Sequence, residues 1–213
     1  MTIRVLVADD QAMIRGALAG LLDLERDIEV VAQAADGAQA LDELARLASA
    51  DAPARASAPI DVAIIDVEMP RMDGITATQA IRSRFPGVRV VIVTTFGRPG
   101  YLQRALDAGA TGFMVKDAPV ETLVEGVRTV AAGGRAIDQN LALEALAAGS
   151  SPLTDREADV LHEVEGGGTI ADIAHSLHLS QGTVRNHVSS AMLKMNARTR
   201  AEAASLARAA GWL

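Results

Sequence analysis

Two periodicities alternate along the first two thirds of this 213-residue chain. Short runs rich in Val, Ile, Leu and Ala predict strands at Ile3–Ala8, Ile28–Ala32, Ile60–Asp66, Val88–Val93 and Phe113–Val115. Runs apolar at almost every position suit strands buried on both faces, as in a parallel sheet. Between them the apolar residues fall at helical spacing. Ile14, Ala17, Leu18, Leu21 and Leu22 define one face of a helix over Gln11–Leu22, and Leu41, Leu44 and Leu47 follow the Asp36-Gly37 turn. Further helices are predicted over Ile75–Arg84, about Gly100–Ala108, and from Pro119 through Val120, Leu123, Val124, Val127 and Val130. Strand and helix in strict alternation predict an α/β fold, a five-stranded doubly wound parallel sheet.

After Gly133-Gly134 the strand signal stops. From Leu153 onward the pattern is purely helical. Thr154 with Glu157 forms a capping-box sequence before a helix through Val164, and Gly166-Gly167-Gly168 breaks it. Thr169 caps Ile170–Leu177, His178-Leu179 turns, Ser180 caps Gln181–Met195, and a last helix covers about Arg200–Ala210. A helix, a short turn and a second capped helix form a helix-turn-helix. The expected division is an α/β domain over residues 1–132, an Ala/Leu-rich linker over 133–150 and a small all-α domain over 151–213. Residues 49–59, rich in Ala, Pro and Ser, are expected to form a surface loop remote from any site.

Composition narrows the picture. Aromatics are only 2%, so Ala, Leu, Val and Ile must build the core. The absence of Cys excludes disulfides and thiolate metal sites. Residues 1–7 are too short and too quickly followed by acid for a signal peptide, and no apolar run reaches the roughly 18–20 residues of a membrane span. A soluble cytoplasmic protein with no membrane partner is expected. The net charge of −7 argues against a protein that coats nucleic acid throughout its surface.

The strands end in chemistry. Asp9-Asp10, Asp66, Thr94-Thr95 and Lys116 each follow an apolar run, and a doubly wound sheet gathers its strand ends at one edge, where ligands bind. Three carboxylates so gathered stay ionised only with a cation among them. All-oxygen ligands that are few in number, with room for an incoming phosphate, select Mg2+. Lys116 is a point-charge donor for phosphate, Thr94 can donate to a phosphoryl oxygen, and Asp66 is placed as a nucleophile toward phosphorus.

The motifs VLVADDQ, IIDVEMPRMDG, VIVTTF and GFMVKDAP, then LTDREADVL, IADIAHSLHLSQGTVRNHV and RTRAEA, occur in this order. On them the chain resembles a two-component response regulator of the NarL/FixJ group: a flavodoxin-like receiver joined to a LuxR-type helix-turn-helix. The resemblance implies that Asp66 is the phosphoacceptor, that Asp10 and Asp66 ligate Mg2+ directly, that Asp9 acts through water and that the Glu68 carbonyl completes the set. It implies Thr94 and Phe113 as a switch pair and Lys116 as a phosphoryl contact. The wording TTFGRPGY and the ending GWL resemble the subgroup paired with kinases that sense membrane fluidity. The chain departs from the pattern in its long 49–59 loop, in Ile170 where Asn is frequent, and in Asp117 where many receivers have Pro.

The effector half carries a local positive balance. From Ser180 to Arg208 the basic residues are Arg185, Lys194, Arg198, Arg200 and Arg208, against Glu202 alone. By resemblance Arg185, Asn186 and Ser189 read bases, and Thr183, Lys194 and Arg198 contact phosphates. The expected function is a transcription factor switched by phosphorylation, not an enzyme. Its partners are a sensor histidine kinase, promoter DNA and, once phosphorylated, a second copy. An aspartyl-phosphate phosphatase, with Glu68 as acid two residues after the nucleophile, is the alternative enzyme; a phosphorylation-independent DNA binder is the other.

Overall fold

The computed structural model describes residues 2–50, 60–95, 97–149 and 151–213. Contacts divide the chain into two compact units, residues 1–97 with 102–142, and residues 143–213 with the short segment 98–101.

In the first unit the strands are β1 (Ile3–Ala8), β2 (Ile28–Ala34), β3 (Val62–Ile65), β4 (Arg89–Thr94), β5 (Gly112–Val115) and β6 (Ala136–Ile137). They form one parallel sheet in the order β2-β1-β3-β4-β5-β6. The helices are α1 (Ala12–Asp23), α2 (Gly37–Ala50), α3 (Gly74–Arg84), α4 (Pro99–Asp107), whose first residues count with the second unit, and α5 (Val120–Ala131); α6 (Gln139–Ala148) begins in the first unit and ends in the second. Every residue of β3 is buried, which is why its sequence shows no alternation. One core cluster joins Val5, Val7, Val62, Ile64, Val91 and Val93 of the sheet to Leu123, Val124, Val127 and Val130 of α5.

The sheet has six strands where five were expected. The sixth lies in the stretch expected as a linker and pairs with β5 through Gly112↔Ala136 and Phe113↔Ile137. A two-residue edge strand has no period to detect, and α6 follows it directly. Ser49 and Ala50 belong to α2; residues 51–59 of the expected surface loop lie outside the described residues.

Loop chemistry fixes the helix starts. Asp73 caps α3, its carboxylate accepting from the Ile75 and Thr76 amides at 2.9 Å. Gly74 must be glycine on grounds of space: a Cβ there would lie 1.9 Å from the Asp66 carbonyl oxygen.

The second unit is helical: α7 (Asp155–Glu165), α8 (Ile170–Ser176), α9 (Gln181–Lys194) and α10 (Arg200–Ala209). Thr154 with Glu157 and Thr169 with Asp172 form complete capping boxes, and Ser180 caps α9 through the Thr183 amide at 3.0 Å. The turn between α8 and α9 passes through His178 at φ +54°. Val160, Leu161, Ile173, Val184, Val188, Ala191 and Ala203 are buried together, with Trp212 packed against them.

Candidate functional site

Parallel register decides what the strand ends bring together. Ala8 pairs with Ile65, so Asp9 and Asp66 leave their adjacent strands at the same level. Thr94 pairs with Val115, which sets Thr94 and Lys116 at the same edge. The edge includes the β1/β3 switch point, where strand order reverses.

The geometry there is tight. Lys116 Nζ lies 2.7 Å from Asp9 Oδ2 and 2.8 Å from Asp66 Oδ2. Asp66 Oδ1 accepts from the Val67 amide at 2.8 Å, and Asp9 Oδ1 from the Gln11 amide at 2.9 Å. Asp9, Asp66 and Thr94 are buried, whereas Asp10 is exposed. Burial pushes the Asp66 carboxyl above its ordinary pKa and the charge of Asp9 adds to this, while Lys116 opposes both. Burial acts to depress the Lys116 ammonium, but its contacts with Asp66 and Asp9 outweigh this and hold its pKa above the usual lysine value.

The three carboxylates Asp9, Asp10 and Asp66 each offer an oxygen within 4.8 Å of the others. Asp9 Oδ2 is buried, and the Lys116 ammonium is the cation beside it. Three carboxylates with a single ammonium among them leave the cluster net negative, and an all-oxygen donor set open on the exposed Asp10 side fits a hard divalent cation. Glu68 sits exposed in the loop two residues beyond Asp66. Phe113 is fully buried in β5, and its register partner Ile92 lies two residues before Thr94, so Phe113 and Thr94 face the same side of the sheet.

Two supports of this edge carry no clear sequence signal. Arg15 of α1 donates to the Asp9 carbonyl. Arg71, at φ +63°, pairs with the buried Asp36 carboxylate and ties the loop after Asp66 to the β2–α2 turn. Asp36 was legible as a turn residue, but its partner 35 positions away was not.

In the second unit, Arg185, Asn186 and Ser189 are exposed on one side of α9, with Val184, Val188 and Ala191 buried on the other. Thr183 is partly buried, its hydroxyl 2.8 Å from that of Ser180, and Arg198 is exposed. Lys194 is engaged elsewhere: its ammonium lies 2.6 Å from Glu157 Oε2. Glu157, expected only as a capping residue, is a buried hub that also accepts from Ser190 Oγ at 2.6 Å and the Thr154 amide at 2.7 Å. Arg208 pairs with Glu165, and Arg200 donates to the Gly168 carbonyl. His187 is partly buried.

The profile of the response regulator receiver domain matches residues 5–128, and that of the luxR family of bacterial regulatory proteins matches residues 151–207. The chain belongs to the NarL/FixJ family of response regulators. The regulator is 39% identical over 211 residues to the transcriptional regulatory protein YvfU of Bacillus subtilis, covering 99% of this chain and all of that one. It is 38% identical to the transcriptional regulatory protein DesR of the same organism, covering 99% and 98%. Among solved structures it is similar to the response regulator ChrA of a heme-sensing two-component system, with 30% identity, coverage of 100% and 99%, and a TM-score of 0.55.

Proposed function

We propose that this regulator is a transcription factor switched by phosphorylation of Asp66. The observation that carries the reading is the Lys116 ammonium held between Asp66 and Asp9 at the switch point of the sheet. An Asp66 carboxylate oxygen attacks phosphorus, the new bond is O–P, and the phosphohistidine nitrogen of a sensor kinase, or the acyl oxygen of a small donor, leaves with the bonding electrons. Lys116 keeps Asp66 ionised against its burial and then contacts the phosphoryl oxygens. Asp10, Asp66 and the Glu68 carbonyl would hold Mg2+, with Asp9 behind a water, and the ion would supply positive charge against the phosphoryl oxygens. Thr94 donates to the phosphoryl group, and Phe113, on the same side of the sheet, responds.

On this reading the receiver spans residues 1–132, the connector 133–150 and the effector 151–213, and the phosphorylated regulator pairs as a homodimer on promoter DNA. Arg185, Asn186 and Ser189 face the bases, while Thr183 and Arg198 contact phosphates. Lys194, exposed and paired with Glu157, contacts phosphate with the N–H donors that the carboxylate leaves free. No described helix is long and apolar enough to cross a membrane, in keeping with work in the cytoplasm. The wording TTFGRPGY supports pairing with a kinase of the membrane-fluidity-sensing subgroup. On this reading the protein is a switch and not an enzyme: its output is a change in DNA binding.

The test is phospholabelling with acetyl phosphate and Mg2+. Wild type is labelled, Asp66→Asn is not, and chelation abolishes labelling; label retained by Asp66→Asn overturns the assignment.

A further inference from the structure

Among the described large apolar residues none is more exposed than Leu193, at 83%. It lies one residue before the end of α9. Ser189, Asn186 and Arg185 precede it by four, seven and eight positions, which on an α-helix places all four side chains within an arc of about 100°. The stripe from Arg185 to Leu193 is about 12 Å long, roughly three to four base-pair steps. Its other members are polar and exposed. The next residue, Lys194, turns its ammonium to the buried Glu157 carboxylate, so the end of the stripe presents a bare isobutyl group beside a cation that is already paired.

We propose that Leu193 is a specificity-determining residue that packs against the 5-methyl group of a thymine in the major groove. This rests on the reading of α9 as the DNA-facing helix. The argument is chemical. The donors and acceptors of base edges are read by Arg and Asn, but the major groove carries one apolar group, the thymine methyl. An exposed apolar side chain on the face that enters the groove therefore has a single complementary partner there. A second protein copy is a poor match for the same stripe. One leucine at the end of a stripe otherwise made of Arg185, Asn186 and Ser189 offers no continuous apolar area of the size that stable interfaces bury.

The test uses the full-length protein after acetyl phosphate treatment and a duplex enriched from a random-sequence library by wild type. Each thymine is replaced in turn by uracil, which pairs identically and lacks the methyl. Wild type should lose about four-fold in affinity, the worth of one buried methyl, at one position in each half-site. Leu193→Ala should bind the thymine duplex as weakly as wild type binds the uracil duplex, and should not distinguish the two. Arg185→Ala should lose affinity yet keep the thymine preference. Wild type indifferent to uracil at every position, or Leu193→Ala retaining the preference, overturns the proposal. If no sequence is enriched, or Arg185→Ala and Asn186→Ala bind the enriched duplex like wild type, the DNA reading of α9 fails, and the role of Leu193 with it.

Discussion

Glu157→Gln should destabilise the helical unit by an amount that depends on pH. In the folded protein Glu157 is 4% exposed. Burial raises its pKa, but bonds from Lys194, Ser190 and Thr154 outweigh this and hold it at about 2, against an ordinary value of 4.5. A shift of that size corresponds to about 3 kcal/mol at 1.36 kcal/mol per unit, and the partial exposure of Lys194 brings the expected figure to about 2–3 kcal/mol. The folded pKa is the depressed one, so between pH 4.5 and 2 the unfolded chain binds more protons than the folded one. The stabilisation is complete above pH 4.5 and is lost as pH falls toward 2, with about 2 kcal/mol gone by pH 3. Gln keeps the shape and loses the charge. Trp212 is the single tryptophan and packs on the core of this unit, so its fluorescence during urea unfolding of the full chain reports the effector. The deficit of Glu157→Gln should be about 2–3 kcal/mol at pH 7 and should shrink as pH falls to 3, because the wild-type carboxylate is protonating toward the state that Gln mimics. A deficit that is constant between pH 7 and pH 3, or smaller than about 0.5 kcal/mol at pH 7, refutes the reasoning. Lys194→Met should show the same pH dependence, since it removes the other half of the pair.

The acidic edge offers two further tests. Lys116→Met removes the cation that neutralises Asp9 and Asp66, so the variant should melt lower without Mg2+ and gain more from added Mg2+ than wild type; equal gains in thermal melts would contradict the geometry. Gly74→Ala places a Cβ against the Asp66 carbonyl, and should cost about 3 kcal/mol or drive the loop out of position, with loss of the Mg2+-induced rise in melting temperature; a melting curve like that of wild type would show the loop to be freely adjustable.

Much of this molecule was legible residue by residue. β1, β3 and β4 announce themselves because a strand buried on both faces needs an uninterrupted apolar run. Asp66 was legible because a carboxylate closing such a run is costly without a partner. The start of α7 was legible because a capping box is closed within four residues, and that of α8 because Thr169 caps it; the Asp172 half of the second box came only from the structure. β6 escaped because two residues carry no period. The Glu157 partner of Lys194 escaped because a lysine late in a helix carries no local mark of a carboxylate 37 positions away.

The sequence by itself therefore determined the elements, their alternation and the kind of chemistry at each strand end, since these depend on neighbours a few residues apart. Only the tertiary structure decided which charges meet. Lys116 reaches Asp66 across 50 positions, Arg71 reaches Asp36 across 35 and Lys194 reaches Glu157 across 37. Such pairs are set by strand register and helix packing, and local composition holds no record of either.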